Sequence, residues 1–295
     1  MNITIFSLCL IWGFNFVIMK SANGVFPPVL FASYRFLVGS IALFTYSYFK
    51  KVPLPSRQNL RWYMLCGLLQ TTYFNVAIQV SLLHTSAGLV SVLTYSMPLF
   101  FSVLAHFFIP GERLSLRKTI GICLGLAGLF LALNINSPDA KLWSLMLALT
   151  SAIAWALSNL IIKTKLKDCD KLQFTSWQMI SGTAALFLFS FLFESGNSAW
   201  NGISVVYILY SGVLASALAF SLWSLILTKV EASKASIPLL LVPIIGIISS
   251  SIFLNEKLQA TTIAGVSLVL LGIWTVNRSS RRRDDTLDSI RLSDK

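Results

Sequence analysis

Apolar stretches of roughly 20 residues recur along the whole chain and are separated by short polar connections. A helix of about 20 apolar residues crosses a hydrocarbon core about 30 Å thick. The chain is 56% hydrophobic and only 12% charged, whereas about 25% of the residues of soluble domains are charged. The pattern therefore predicts an all-α integral membrane protein.

Ten such stretches are present, and they predict ten transmembrane helices. Their predicted bounds are 3–20, 28–49, 60–82, 86–108, 117–134, 141–162, 174–193, 204–228, 233–254 and 260–277.

Basic residues are distributed unequally between the loops that alternate across the membrane. With both termini in the cytoplasm, nineteen of the 23 Lys and Arg residues lie in cytoplasmic loops or in the tail, whereas Lys20, Lys141 and Lys257 lie outside. Cytoplasmic loops of membrane proteins are enriched in Lys and Arg, so this partition supports ten helices and two cytoplasmic termini. The basic tail is expected beside anionic lipids, and no nucleic-acid partner is predicted.

The two halves of the chain resemble each other. At an offset of 143 residues, segment 31–39 aligns with segment 174–182, and at an offset of 144 Glu112 aligns with Glu256. Each half contains five predicted helices, an odd number, so the second half must enter the membrane in the opposite orientation. The sequence therefore predicts two inverted five-helix repeats.

The repeat divides the chain into three parts: a first five-helix unit at 1–136, a second, inverted unit at 137–277, and a basic cytoplasmic tail at 278–295. Inverted repeats give transporters two related conformations, one open to each side, with a site near the midplane. Channels also contain such repeats, so a permeation pathway is indicated more directly than a carrier cycle. A monomer is sufficient for this architecture, and a dimer is compatible with it.

Polar and aromatic side chains within the predicted helices are the candidates for a substrate site. Arg35 is the charged residue placed inside a helix, and its burial costs at least about 2.5 kcal/mol, so it should face the protein interior or water. It either attracts a substrate carboxylate or phosphate, or it fixes helix packing. The other candidate substrate-binding residues are Trp12, Asn15, Gln70, Tyr73, Asn75, Gln79, Trp155, Ser158, Asn159, Trp177 and Gln178.

These neutral candidates also have two interpretations. Amides can hydrogen-bond a polar ligand, and indole rings can form an apolar wall or hold an amine. The same residue types also join helices to one another. In the third predicted helix, Thr71, Asn75 and Gln79 recur every four residues, and Gln70 and Tyr73 lie three apart. Both stripes are expected to line a water-accessible cavity or a helix contact.

Two prolines and two glutamates occupy matched positions in the halves. Pro98 and Pro243 lie inside predicted helices, where they act either as hinges or as static kinks. Glu112 and Glu256 end those helices and either gate the pathway, or cap a helix or pair with their adjacent basic residues. The cysteines are dispersed, and the two histidines, His84 and His106, are far apart in the sequence, so no metal or cofactor is predicted.

Taken together, these residues resemble the EamA-type domain of the drug/metabolite transporter superfamily. The resemblance covers residues 1–277. It implies ten helices and transport of amino acids or other small metabolites, commonly as efflux across the bacterial cytoplasmic (inner) membrane. The matching residues are Trp12 to Phe16, Tyr34 to Phe36, Pro98, Glu112 to Ser115, Gly121, Gly125 and Gly128, and then Trp155, Pro243, Glu256 to Leu258, Gly265 and Gly272.

The prediction is a secondary transporter that moves an amino acid, a related zwitterion or an organic anion by alternating access, with export as its direction. An uptake carrier or exchanger for a nucleotide-like molecule or an amine is the alternative, and a receptor or scaffold is a third class. An enzyme is not predicted, because no mid-helix carboxylate and no Gly-x-Ser-x-Gly elbow is present. The missing carboxylate also disfavours proton antiport, since related small multidrug transporters use an acid in the first helix, where this chain has Asn15.

Overall fold

The structure is a computed structural model that describes residues 3–133, 141–220, 222, 238–257 and 259–293, with the backbone alone after residue 277. Within these ranges the chain is helical and forms no β-strand, which confirms the predicted all-α class. The helices are α1 (Ile3–Ala22), α2 (Pro28–Phe49), α3 (Arg57–Cys66), α4 (Phe74–Leu82), α5 (Ala87–Tyr95), α6 (Met97–Phe108), α7 (Leu116–Leu133), α8 (Leu142–Lys165), α9 (Lys171–Phe193), α10 (Gly202–Leu209), α11 (Leu241–Phe253) and α12 (Ala260–Ser293).

Two π-helical segments extend α-helices without a break. The first, π1 (Gly67–Tyr73), joins α3 to α4, and the second, π2 (Tyr210–Leu218), follows α10. They begin 143 residues apart, which is also the offset of the sequence repeat. π-Helical turns are rare and are frequent at functional sites.

In the part of the chain that the structure describes, six helical stretches are long and apolar enough to cross a membrane. They are Ile3–Ala22, Pro28–Phe49, Ala87–Phe108, Leu142–Lys165, Lys171–Phe193 and Ala260–Asn277. The stretch from α3 through π1 to α4 covers the predicted helix 60–82, and two shorter apolar helices cover parts of the predicted helices 204–228 and 233–254.

Parts of the sequence-based prediction lie outside the described residues. These are the remainder of the helices predicted at 204–228 and 233–254, the boundary between the predicted units at 136 and 137, and the side chains of the tail. The number of membrane spans therefore stays a prediction.

The described helices pack around three apolar clusters. The largest one contains Phe16 of α1, Leu93 of α5 and Val269 of α12. The second contains Phe36 and Met179 and lies between α2 and α9. The smallest one joins α3 to α9. Within the described residues, α1 and α5 also pack on α11, and α8 packs on α4, α5 and α6.

Glycines bring α7 and α12 into backbone contact. A Cβ atom on Gly121 would lie 2.8 Å from the carbonyl oxygen of Gly272, and one on Gly128 would lie 2.6 Å from that of Gly265. Small residues at a helix contact allow this close approach in membranes, where dispersion contacts between helices replace the hydrophobic effect. The contact leaves no room for a larger residue.

The substitution Gly272→Ala tests this packing. Its Cβ would lie 2.6 Å from the oxygen of Gly121 and from the nitrogen of Gly125, so the helices must separate. Such overpacking costs about 1–3 kcal/mol, and we expect the melting temperature of the detergent-purified protein to fall. Gly202→Ala is the matched control, because no atom lies within 4 Å of its Cβ position. Equal melting temperatures for the two variants would contradict the contact.

Candidate substrate site

Arg35 lies on α2, and its side chain is buried, with 4% of its surface exposed. Its Nη2 donates a hydrogen bond to Oδ1 of Asn75, and its guanidinium carbon lies 4.5 Å from the ring centre of Phe36. Among the described side chains, no carboxylate pairs with Arg35, and its Nε has no hydrogen-bond partner. The guanidinium is therefore buried without a counter-charge.

Asn75 connects Arg35 to π1. Its side chain is 1% exposed, and its Nδ2 donates to the carbonyl oxygens of Thr71, at 2.7 Å, and of Gln70, at 3.4 Å. Both carbonyls belong to π1. The two donated bonds direct the amide oxygen of Asn75 towards Arg35.

The same segment contacts α8 and α9. The hydroxyl of Thr71 donates to Oε1 of Gln178 at 3.0 Å, and the hydroxyl of Ser158 donates to Oε1 of Gln70 at 3.0 Å. One hydrogen-bonded network thus joins five of the predicted residues through Thr71. Those five are Arg35, Gln70, Asn75, Ser158 and Gln178.

The two candidates on α1 contact π2. The indole nitrogen of Trp12 donates to the carbonyl oxygen of Ala215 at 3.0 Å. Asn15 is buried, and its Oδ1 accepts a hydrogen bond of 2.7 Å from Ser211. Each π segment therefore carries polar contacts with predicted residues.

Trp155 and Asn159 lie on α8 and contact side chains of neighbouring helices. The ring centre of Trp155 lies 5.5 Å from those of Phe74 and Tyr95, in edge-to-face contacts. Asn159 donates from Nδ2 to the sulfur of Met97 at 3.4 Å. Both contacts join helices, and the three rings form an aromatic wall.

Tyr73 and Trp177 also lie apart from the network around Arg35. Tyr73 is 42% exposed, and its hydroxyl donates to Thr150 at 2.9 Å, so it faces the surface rather than the interior. Trp177 packs edge-to-face on Phe44, which is nine residues beyond Arg35 and so about 13 Å further along α2.

Gln79 lies at the end of the bundle where α1 ends and α2 begins. Its Nε2 donates to Oδ1 of Asn23 and to the carbonyl oxygen of Pro28, both at 3.0 Å. Its Oε1 is buried and has no hydrogen-bond partner among the described residues. The buried stripe of Thr71, Asn75 and Gln79 agrees with the four-residue spacing in the sequence.

The two matched glutamates contact other residues than their sequence neighbours. Oε1 of Glu256 lies 2.5 Å from Nζ of Lys20, and its Oε2 accepts a hydrogen bond from the backbone nitrogen of Ala87 at the start of α5. Glu112 pairs with Lys118 at 3.2 Å. Among the described side chains, neither glutamate pairs with its adjacent basic residue, so that part of the expectation is wrong, whereas Glu256 caps the first turn of α5. The gating hypothesis stays a prediction.

Pro98 and Pro243 lie in the first turns of α6 and α11. Pro98 also lies within the helical stretch Ala87–Phe108, which is interrupted at Ser96 between α5 and α6, and Pro243 follows the short 3₁₀ turn Pro238–Leu240. Proline removes a backbone hydrogen bond from a continuing helix, so the interruption next to Pro98 agrees with a kink. Their role as hinges stays a prediction.

The apolar helices and the buried polar network define an integral membrane protein. The EamA-like transporter family matches the chain over residues 1–134 and 142–278. This chain belongs to that family of membrane transporters.

Two curated relatives and one solved structure agree with this assignment. The chain is 30% identical to the uncharacterized transporter YoaV of Bacillus subtilis, over 95% of this chain and 97% of YoaV. It is 25% identical to a probable amino-acid metabolite efflux pump of Salmonella typhimurium, over 90% of each chain. A crystal structure at 17% identity has the same fold, with a TM-score of 0.69 over 95% of this chain and 98% of the other.

The substitution Gln178→Leu tests the link between π1 and α9. It removes the acceptor of the buried hydroxyl of Thr71, and an unsatisfied buried group costs about 1–3 kcal/mol, so we expect a lower melting temperature. Adding Thr71→Val should restore part of the loss. Tyr73→Phe, on the exposed side of π1, should leave the melting temperature nearly unchanged. If Gln178→Leu were as stable as Tyr73→Phe, the bond would contribute nothing.

Proposed function

We propose that the chain is a secondary transporter with ten transmembrane helices in two inverted repeats, at 1–136 and 137–277, that works by alternating access. It exports an amino acid, a related zwitterion or an organic anion across the bacterial cytoplasmic membrane, with both termini in the cytoplasm. Its tail at 278–295 lies beside lipid headgroups, and one chain forms a complete transporter. The observation that carries the proposal is the buried guanidinium of Arg35, which has no counter-charge among the described side chains.

Equivalent positions of the halves meet each other, which supports an inverted repeat. The hydroxyls of Ser40 and Thr183 are 3.3 Å apart in space and 143 residues apart in sequence. Two equivalent residues lie next to each other when they are close to a two-fold axis that relates the halves. Such an axis would pass between α2 and α9.

The contacts of π1 and π2 with the opposite half also correspond. A Cβ atom on Gly67 of π1 would meet the carbonyl oxygen of Gln178, and one on Gly212 of π2 would meet that of Arg35. Arg35 and Gln178 are themselves equivalent at the offset of 143. Each π segment therefore packs on the helix of the other half at the matching position, as inverted repeats require.

The charge of Arg35 favours an anionic group on the substrate. Glu194, the carboxylate of the α9–α10 connection, already accepts hydrogen bonds of 2.7 and 2.8 Å from the backbone nitrogens of Val29 and Leu30. Glu256 is held by Lys20. A substrate carboxylate can accept two parallel hydrogen bonds from a guanidinium, which makes it the fitting partner. The name of the Salmonella relative supports an amino-acid substrate.

One of two equivalent ion pairs is formed, which supports a structure closed at one end. Lys20 and Glu256 pair where α1 ends, whereas their repeat equivalents, Lys163 and Glu112, contact other groups. Nζ of Lys163 lies 5.5 Å from the ring centre of Phe101. In alternating access the halves exchange roles, so the second pair should form when the first one opens.

The first experiment measures ligand binding to Arg35. We expect 3-phenylpropionate and L-phenylalanine to raise the melting temperature of the purified protein and phenethylamine, which lacks the carboxylate, to leave it unchanged. The aromatic rings beside Phe74 are the reason for a phenyl series, and the common amino acids and organic acids extend it. Arg35→Gln should abolish every shift caused by a carboxylate.

Lys167→Gln is the matched control, because it removes an exposed cytoplasmic charge. If shifts persisted in Arg35→Gln, or if the whole panel of carboxylates caused none, the proposed substrate class would be wrong.

The second experiment follows the two ion pairs during transport. The cysteine pair Lys20→Cys and Glu256→Cys, in a chain whose four cysteines are replaced, should be linked by a short thiol-reactive cross-linker in the unloaded protein. The pair Lys163→Cys and Glu112→Cys should be linked in the fraction that has reoriented. Complete linking of both pairs in the same molecules would contradict alternating access.

A further inference from the structure

The contact between Arg35 and Asn75 joins a buried cation to a neutral amide. Both side chains are almost fully buried, and the amide provides one oxygen, whereas Nε of Arg35 has no partner among the described residues. A carboxylate provides two oxygens and a full negative charge, and hydrogen bonds between ionised partners are about twice as strong as neutral ones. Asn75 therefore satisfies Arg35 only in part.

The orientation of the Asn75 amide is determined by its neighbours. Its Nδ2 donates to the carbonyl oxygens of Thr71 and Gln70, which accept hydrogen bonds and cannot donate them. The amide oxygen must then point the other way, towards the guanidinium. The side chain is held as an acceptor for Arg35.

We infer that Oδ1 of Asn75 occupies the position of a substrate carboxylate oxygen in the unloaded protein, and that substrate binds by displacing it. Asn75 is then a positioning residue and an internal competitor at the site. This inference rests on the proposed function, because it takes Arg35 as the carboxylate-binding group.

The competition has a consequence for the transport cycle. A carrier that exports without taking a substrate back must reorient while it is empty, and a bare guanidinium in a closed interior is costly. Asn75 and the ring of Phe36 compensate that charge without substrate. When substrate displaces the amide oxygen, Asn75 loses its bond to Arg35 and keeps its bonds to Gln70 and Thr71 of π1. Substrate binding therefore frees a side chain that is attached to π1.

The test is a titration with acetate, a small carboxylate that fits any site that admits a larger one. The full-length purified protein is titrated with sodium acetate, and sodium chloride at equal concentration is the control for ionic strength. Apparent affinity is read from the shift of the melting temperature. The variants are Arg35→Gln, Asn75→Ala, Asn75→Ser and Asn75→Asp.

Removal of the competitor should tighten binding. We expect Asn75→Ala and Asn75→Ser to bind acetate about tenfold more tightly than the wild type, the magnitude of one hydrogen bond to a charged group. Serine can still bond the carbonyl of Thr71, so it provides a second variant should the alanine variant fail to fold. Asn75→Asp supplies a carboxylate permanently, and it should bind no acetate although Arg35 is intact.

The outcomes separate this inference from the proposed function. If the wild type binds acetate and Arg35→Gln does not, the substrate class stands; equal or weaker binding by Asn75→Ala and Asn75→Ser then overturns the displacement alone. Acetate binding by Asn75→Asp at the wild-type affinity would also overturn it. If the wild type and Arg35→Gln respond to acetate alike, Arg35 is not the site, and both proposals fall.

Discussion

A guanidinium that is buried among apolar helices must be compensated for the water that it loses, and in this chain Arg35 meets one amide oxygen and one aromatic face. That requirement organises the surrounding helices. Asn75 can offer its oxygen to Arg35 because its nitrogen is bound to π1, and π1 is bound through Thr71 to Gln178. The charge on α2 is thus connected through α4 and π1 to α9.

The π segments accept hydrogen bonds from the larger polar side chains among the candidate residues. In the α-helices, hydroxyls of Ser and Thr donate to carbonyls of the preceding turn, as Ser33 does to Val29. In π1 and π2, the side chains of Asn75 and Trp12 donate to backbone carbonyls. Candidate residues are therefore attached to both π segments.

The sequence predicted the helical class and most helix bounds, because a hydrocarbon core sets a minimum apolar length. Helix α2 begins at Pro28 and ends before Lys50 as predicted, since a proline at the start and charges at the end are local signals. Burial of Arg35, Asn75 and Gln178 agrees with their predicted positions.

The sequence did not predict the π segments, which have no local signature. Tyr73 was expected to line a water-accessible cavity or a helix contact together with Gln70, but more residues per turn in π1 separate side chains three apart, and Tyr73 faces outward. The partners of Glu112 and Glu256 were also missed. Lys20 is distant from Glu256 in the chain, and no pattern of neighbouring residues identifies so remote a contact.

Under the proposed two-fold relation the two halves are unequal in charge, and this inequality limits what the proposed site can bind. Arg35 and Gln178 align at the offset of 143, yet Arg35 is a cation without a counter-charge among the described side chains, and Gln178 is a neutral amide whose oxygen is already bound by Thr71. Under the proposed two-fold relation, the first half holds the carboxylate and the second can only offer neutral groups and aromatic rings. A substrate then binds in one orientation, with its anionic end at α2. A dianion with charges at both ends would leave one of them facing neutral groups, so a molecule with a single anionic end fits this pair of halves best.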